Sequence, residues 1–170
     1  PRRKELLEQV GVEFEQRVSG KEERYTATEP KEIVKELALM KAENVASDIE
    51  AEKGLLIDTV VIGADTIVVL DGQILGKPRN EEHAFEMLQN LQGRSHEVYT
   101  GVAFLSYNKE GKKEVISHAV ETKVHVHEMS EKEIRKYVAT KDPMDKAGGY
   151  GIQGVFAAYI DGIEGDYYNV

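Results

Sequence analysis

TVVIGADTIVVLDGQILGKP, residues Thr59 to Pro78, is the stretch whose reading decides the fold. Val60, Val61 and Ile62 form one apolar run and Ile67 to Leu70 another, so together they read as one strand buried on both faces. Gly63, Ala64, Asp65 and Thr66 sit between the runs. A carboxylate inside such a strand is costly unless it is paired, hydrogen-bonded or bound to a cation. Gly63 removes a side chain where a strand prefers one, which often marks the close approach of a ligand or another backbone. Asp71-Gly72 is a tight-hairpin signal. The return strand ends at Gly76-Lys77-Pro78, which brings Lys77 back toward the end of the sheet that carries Asp65. The competing reading makes Asp65 a turn residue and Lys77 a solvated loop cation; so long a β-branched run argues against it.

Around that stretch the chain has the size and balance of one soluble domain. Its 170 residues can bury a substantial core, and 41% hydrophobic with 31% charged residues describes a globular chain. No apolar run approaches the ~20 residues of a membrane helix, and no signal-peptide pattern is present. Without cysteine there is no disulfide, zinc ribbon or thiol nucleophile, which allows a cytoplasmic site. A formal net charge of −9 argues against nucleic acid as a partner, since phosphate backbones want a basic surface. A small phosphorylated ligand still suits the chain if its few cations cluster.

Upstream, Arg2 to Val10 reads as a short helix stopped by Gly11, with Pro1 suited to its first turn. Arg2 and Arg3 then lie at a helix N-terminus that already favours an anion, although two solvated surface arginines are the plainer reading. Val12 to Val18 reads as a strand with Val12 and Phe14 inward, and residues 19–28 as a polar loop carrying Glu22 and Glu23. Pro30 to about Ala51 is the longest helix, its buried stripe running from Ile33 and Val34 to Val45 and Ile49. Lys41 shares that inward face. It can snorkel out to water, or point its ammonium into a cavity that holds an anion.

Downstream, Asn80 caps a helix through Leu91. Ser95 to Tyr107 and Lys113 to His127 are strands joined by a loop at Asn108 to Lys112. His125 and His127 share a face and could bind metal, but Lys123 lies on the same face and a wet sheet surface explains all three. Ser130 with Glu133 is a capping box for a helix through Ala139. Asp145 to Gly154 places four glycines among ten residues, letting backbone approach a ligand closely. It is not a Walker loop, because no Gly-Lys-Ser/Thr follows. Val155 to Ile160 reads as a further strand, and Asp161-Gly162 as a turn.

Taken together, Pro1-Arg2-Arg3-Lys4-Glu5-Leu6-Leu7, Gly63-Ala64-Asp65-Thr66, Gly76-Lys77-Pro78, Tyr99-Thr100-Gly101-Val102, the Asp145–Gly154 run and the closing Gly165-Asp166-Tyr167-Tyr168-Asn169-Val170 resemble the Maf family of nucleotide pyrophosphatases. The motifs span the chain in the expected order. The resemblance implies an α/β fold: a long twisted mixed sheet flanked by helices, with two lobes around a central cleft. It implies hydrolysis of a nucleoside triphosphate to the monophosphate and pyrophosphate with a divalent cation, Mg²⁺ or Mn²⁺, and a cytoplasmic homodimer. It also implies one domain over residues 1–170 that lacks the family's first strand with its two serines, and the Gly-Leu-Pro segment and final helix that follow.

Residue by residue, Asp65 matches the family's proposed general base, and Arg2, Thr66 and Gln153 match positions linked to substrate choice, in the combination of the branch preferring dTTP and UTP. Glu22, Lys41 and Lys77 match further cleft residues. The chemistry suits these types independently. Cleavage between the α and β phosphates needs an in-line water and neutralised phosphate oxygens. Arg2, Lys41 and Lys77 can supply the positive charge, with Lys146 in the glycine run a weaker fourth candidate and Arg3 a further substrate-binding residue beside Arg2. Asp65 with Glu22 or Asp145 offers carboxylates for the cation, and Asp65 can equally serve as base or as metal ligand. The alternative to the enzyme is a catalytically weak nucleotide-binding regulator of cell division using the same cleft.

Overall fold

The β-branched stretch becomes an inner strand of the sheet, paired along most of its length on one side and only near its end on the other. In the computed structural model, which describes residues 2–170, Thr59–Leu70 is a twelve-residue strand, β1, and Gln73–Leu75 returns beside it as β2. Asp71 and Gly72 both take positive φ, 51° and 76°, which is what a two-residue hairpin turn requires. Pro1 lies outside the described residues, so its place in the first helical turn does too. Five strands form one sheet in the order β2-β1-β3-β4-β5, where β3 is Ser95–Tyr107, β4 is Lys113–Val126 and β5 is Ile160–Glu164. The α/β class is as expected, but every pairing among the described residues is antiparallel, where a mixed sheet was anticipated. The tight reversals at Asp71-Gly72 and at Asn108–Lys112 can join only antiparallel neighbours.

Helix α2, Pro30–Lys53, lies across one face of the sheet. Its approach is set by two missing side chains. A Cβ on Gly63 would come 2.2 Å from the Ala38 carbonyl oxygen, and one on Gly101 would come 2.1 Å from that of Val34. Ala38, Ala42 and Ala46 continue the small-residue seam. On the other face, α3 (Glu81–Leu91) and α4 (Glu131–Val138) enclose the main core with Val68, Leu70, Val98, Val124, Val126, Tyr137, Tyr150 and Phe156. Both helices start as their sequences dictate: Asn80 accepts from the His83 N–H at 2.8 Å, and Ser130 and Glu133 form the reciprocal capping box.

Four local expectations fail. Residues 12–18 form no strand; Val12, Phe14 and Val18 are exposed, the last at 82%, because alternation alone supplies no pairing partner. Strand β1 is buried on both faces only over Ile67–Leu70. In its first half Val60 and Ile62 stand 57% and 47% exposed on the face opposite α2, beside exposed Phe104 and Ile116. Val155–Tyr159 is a 3₁₀ turn rather than a strand, opened by an Ala157 N–H to Gly154 carbonyl bond of 3.1 Å. That turn drives Phe156 into the core, 4.8 Å from the Tyr150 ring and 4.9 Å from Tyr137. Asp161 and Gly162 then lie within β5 instead of turning out of it. No helix among the described residues is long and apolar enough to cross a membrane.

Candidate active site

Strand β2 covers only Val68 to Leu70 of β1, so among the described residues the Ala64–Thr66 segment keeps one free edge. Cross-strand partners share a face, which puts Asp65 with Gly101 on the α2 side and Thr66 with Thr100 on the other. The alternation of a strand therefore presents a carboxylate and a hydroxyl from adjacent residues to the two sides of one edge.

From the α2 side comes Lys41, three residues beyond Ala38 and hence on the helix face pressed to the sheet. Its Nζ donates to Asp65 Oδ1 at 2.5 Å and lies 2.7 Å from Glu23 Oε1. Partial burial disfavours the ammonium, but the hydrogen bonds it donates to Asp65 and Glu23 outweigh it and the Lys41 pKa is raised. A charged lysine thus sits between two carboxylates, with Asp65 the one buried acidic residue among those described. Glu22, expected here, instead accepts from Arg24 in the exposed loop. Of the two adjacent glutamates it is Glu23 that reaches Lys41, because the loop path turns Glu22 toward Arg24.

From the free edge comes α1, Arg2–Gln9. Arg3 donates to the Ala64 carbonyl at 2.8 Å and to Thr66 Oγ1 at 3.1 Å, and Thr66 Oγ1 is 2.7 Å from Thr100 Oγ1. Desolvation lowers the Arg3 pKa from its ordinary value while the nearby Asp65 carboxylate opposes that shift. Arg2 turns to the glycine-rich loop: a Cβ on Gly151 would come 2.5 Å from its Nη2.

That loop folds as two short 3₁₀ turns, Asp142–Asp145 and Ala147–Gly149, with Gly148 and Gly149 at φ of 70° and 76°. The Gly148 N–H donates to the Gly76 carbonyl at 3.1 Å, so exposed Lys77 emerges beside the loop. Gln153 is exposed two residues beyond Gly151. Lys146 points into the loop instead, donating to the Asp142 carbonyl at 2.6 Å, to Asp142 Oδ1 at 2.9 Å and to Asp145 Oδ1 at 2.7 Å. It is a staple that also occupies Asp145. Tyr137 donates to Asp142 Oδ2 at 2.6 Å, and burial followed by that bond raises the phenol's pKa.

Arg2, Arg3, Lys41, Asp65, Thr66, Lys77 and the loop bearing Gln153 are therefore grouped around one strand edge, while Glu22 and Lys146 are engaged elsewhere. Sequence reasoning missed Glu23 and Thr100; the second is visible only from register, since Thr100 faces Thr66 across thirty-four residues. His125 pairs with Ser95 and Glu164, and His127 with Asp161, in keeping with a wet sheet surface.

A model of the family described as Maf-like protein matches residues 1–170. A relative from Lachnoclostridium phytofermentans named dTTP/UTP pyrophosphatase is 49% identical over 170 residues, spanning 100% of this chain and 83% of its own length. Proteins of the same name from Agathobacter rectalis and Bacillus cereus are each 49% identical across all of this chain, which spans 86% and 83% of them. By this match along its whole length, the chain belongs to the Maf-like protein family.

Proposed function

We propose that this chain is a pyrophosphatase that hydrolyses dTTP and UTP to the monophosphate and pyrophosphate. The carrying observation is the Lys41–Asp65 pair at the free edge of β1, with the two arginines of α1 beside it. In this reading the triphosphate lies along that edge, its oxygens neutralised by Arg2, Arg3, Lys41 and Lys77. Water attacks the α-phosphorus in line, the bond to the bridging oxygen breaks, and pyrophosphate leaves. Asp65 Oδ1 is held by Lys41, which leaves Oδ2 to take the proton from water. Thr66 and Gln153 bring a hydroxyl and an amide to the pyrimidine edge.

A divalent cation fits the donor set. Among the described residues no three acidic or histidine side chains gather into a ready-made site, but Asp65 and Glu23 converge on the Lys41 ammonium. Two carboxylates suit Mg²⁺ or Mn²⁺, whose remaining ligands are phosphate oxygens and water. When bound, the cation supplies charge that stabilises the phosphate oxygens. We assign the enzyme to the cytoplasm, as a homodimer, on the family resemblance.

The test is pyrophosphate release with Mg²⁺ from dTTP, UTP, CTP, ATP and GTP, for the unaltered protein and Asp65→Asn. The expected result is turnover of dTTP and UTP that falls by about 10²-fold or more in the variant. Nucleotide binding with no turnover would sink the enzyme and leave the regulator.

A further inference from the structure

His96 is an odd choice for a core. It is completely buried on β3, and its Nδ1 has no hydrogen-bond partner among the described residues. A leucine there would remove the orphaned ring nitrogen, but it would also take away the partner of the buried Tyr150 hydroxyl. What the imidazole provides is one bond, Nε2 to the Tyr150 hydroxyl at 2.6 Å, with the two rings edge to face at 5.3 Å. Burial keeps the ring neutral, its pKa pushed down to about 4 with a smaller contribution from His125.

Tyr150 occupies the middle of the glycine-rich loop. It follows Gly148 and Gly149, whose positive φ brings no stiffness of its own, and precedes Gly151, on which the Arg2 guanidinium rests. The Tyr150 ring is wedged against Phe156, but packing alone fixes a ring less closely than packing with a directed bond at its tip. The hydrogen bond runs from β3 to the loop residue lying between Gly151 and the Gly148-Gly149 pair.

We propose that His96 and Tyr150 are a positioning pair, which registers the glycine-rich loop against the sheet and so sets where Arg2 and Gln153 meet the nucleotide. Neither side chain touches substrate. The proposal rests on the nucleotide pyrophosphatase reading and adds to it two residues that act on binding through the loop.

Three variants separate positioning from plain stability. Tyr150→Phe removes one hydroxyl and keeps the ring; His96→Leu fills the space without the bond; His96→Gln carries an amide to the place of the ring nitrogen. Steady-state kinetics on dTTP and UTP, with calorimetric titration of a non-hydrolysable analogue, should show KM and Kd raised about five- to tenfold in Tyr150→Phe and His96→Leu while kcat stays within about threefold. His96→Gln should restore both constants, and the double variant Tyr150→Phe with His96→Leu should bind no worse than the weaker single. A Tyr150→Phe protein with a lowered Tm and unchanged KM and Kd overturns the proposal. If the unaltered protein neither turns over nor binds any nucleotide, the functional reading has failed, and the proposal with it.

Discussion

At the scale of single residues, the site is a lysine shared by two carboxylates of unequal standing. Asp65 is held in a strand and buried, whereas Glu23 comes from an exposed loop and its side chain keeps 54% of its surface. A loop carboxylate is the cheaper of the two to move, so it is the one that can exchange an ammonium for a cation arriving with the triphosphate. Glu23→Gln should therefore raise the Mg²⁺ concentration for half-maximal rate about tenfold, while Glu22→Gln leaves it where it was. Titrating rate against Mg²⁺ in the two variants checks this, and a reversed order would return the metal-binding role to Glu22. The Thr66 hydroxyl is likewise committed before any substrate arrives, accepting from Arg3 and paired with Thr100. A substitution at Thr66 therefore releases Arg3 and Thr100 as well as removing the hydroxyl itself.

At the scale of elements, the pairing of α2 with the sheet positions Lys41. Adding a methyl at Gly101 places it 2.1 Å from a backbone oxygen that cannot swing aside. Gly101→Ala should cost about 3 kcal/mol of stability and lower kcat as well, because the helix must lift and carry Lys41 from Asp65. Urea melts with kinetics on the folded fraction would show both effects, and a stable, fully active variant would mean that the helix slides without consequence. Elements with strong local signals were legible in the sequence: the Asp71-Gly72 hairpin, the Asn80 cap, the Ser130–Glu133 box and the apolar stripe of α2. Residues 12–18 and Val155–Tyr159 were misread because alternation and β-branching look alike whether or not a partner strand exists. Of the candidate site, the residue types that gather at the edge of β1 were legible, Asp65 and the basic side chains above all. Which glutamate joins Lys41, what Lys146 grips and what faces Thr66 depend on loop path and register, which spacing does not encode.

At the scale of the whole molecule, one buried ring adds to the loss of stability in acid. It acts alongside carboxylates such as Asp142, where burial is outweighed by Tyr137 and Lys146 and the pKa is lowered. The unfolded chain takes up a proton on His96 near the ordinary histidine value of about 6.5, whereas the folded protein resists until about 4. Above 6.5 the ring is neutral in both states and costs nothing. As pH falls from 6.5 to 4 the unfolded state gains the proton first, so stability is lost, roughly 3 kcal/mol from this group once pH is below 4. His125 is the charged neighbour that opposes the proton, and Tyr150 is the group the ring is bonded to. Denaturation midpoints between pH 4 and 7 should fall less steeply for His96→Gln than for the unaltered protein; parallel curves would place the acid sensitivity elsewhere.

The close seat of α2 on Gly63 and Gly101 has a consequence for how this protein tolerates change. Neither glycine offers a functional group, yet each works by the volume it leaves empty. A complete survey of permitted substitutions would show these two columns as bare as that of Asp65. Anyone reading such a survey for chemistry would count two spacers among the reactants.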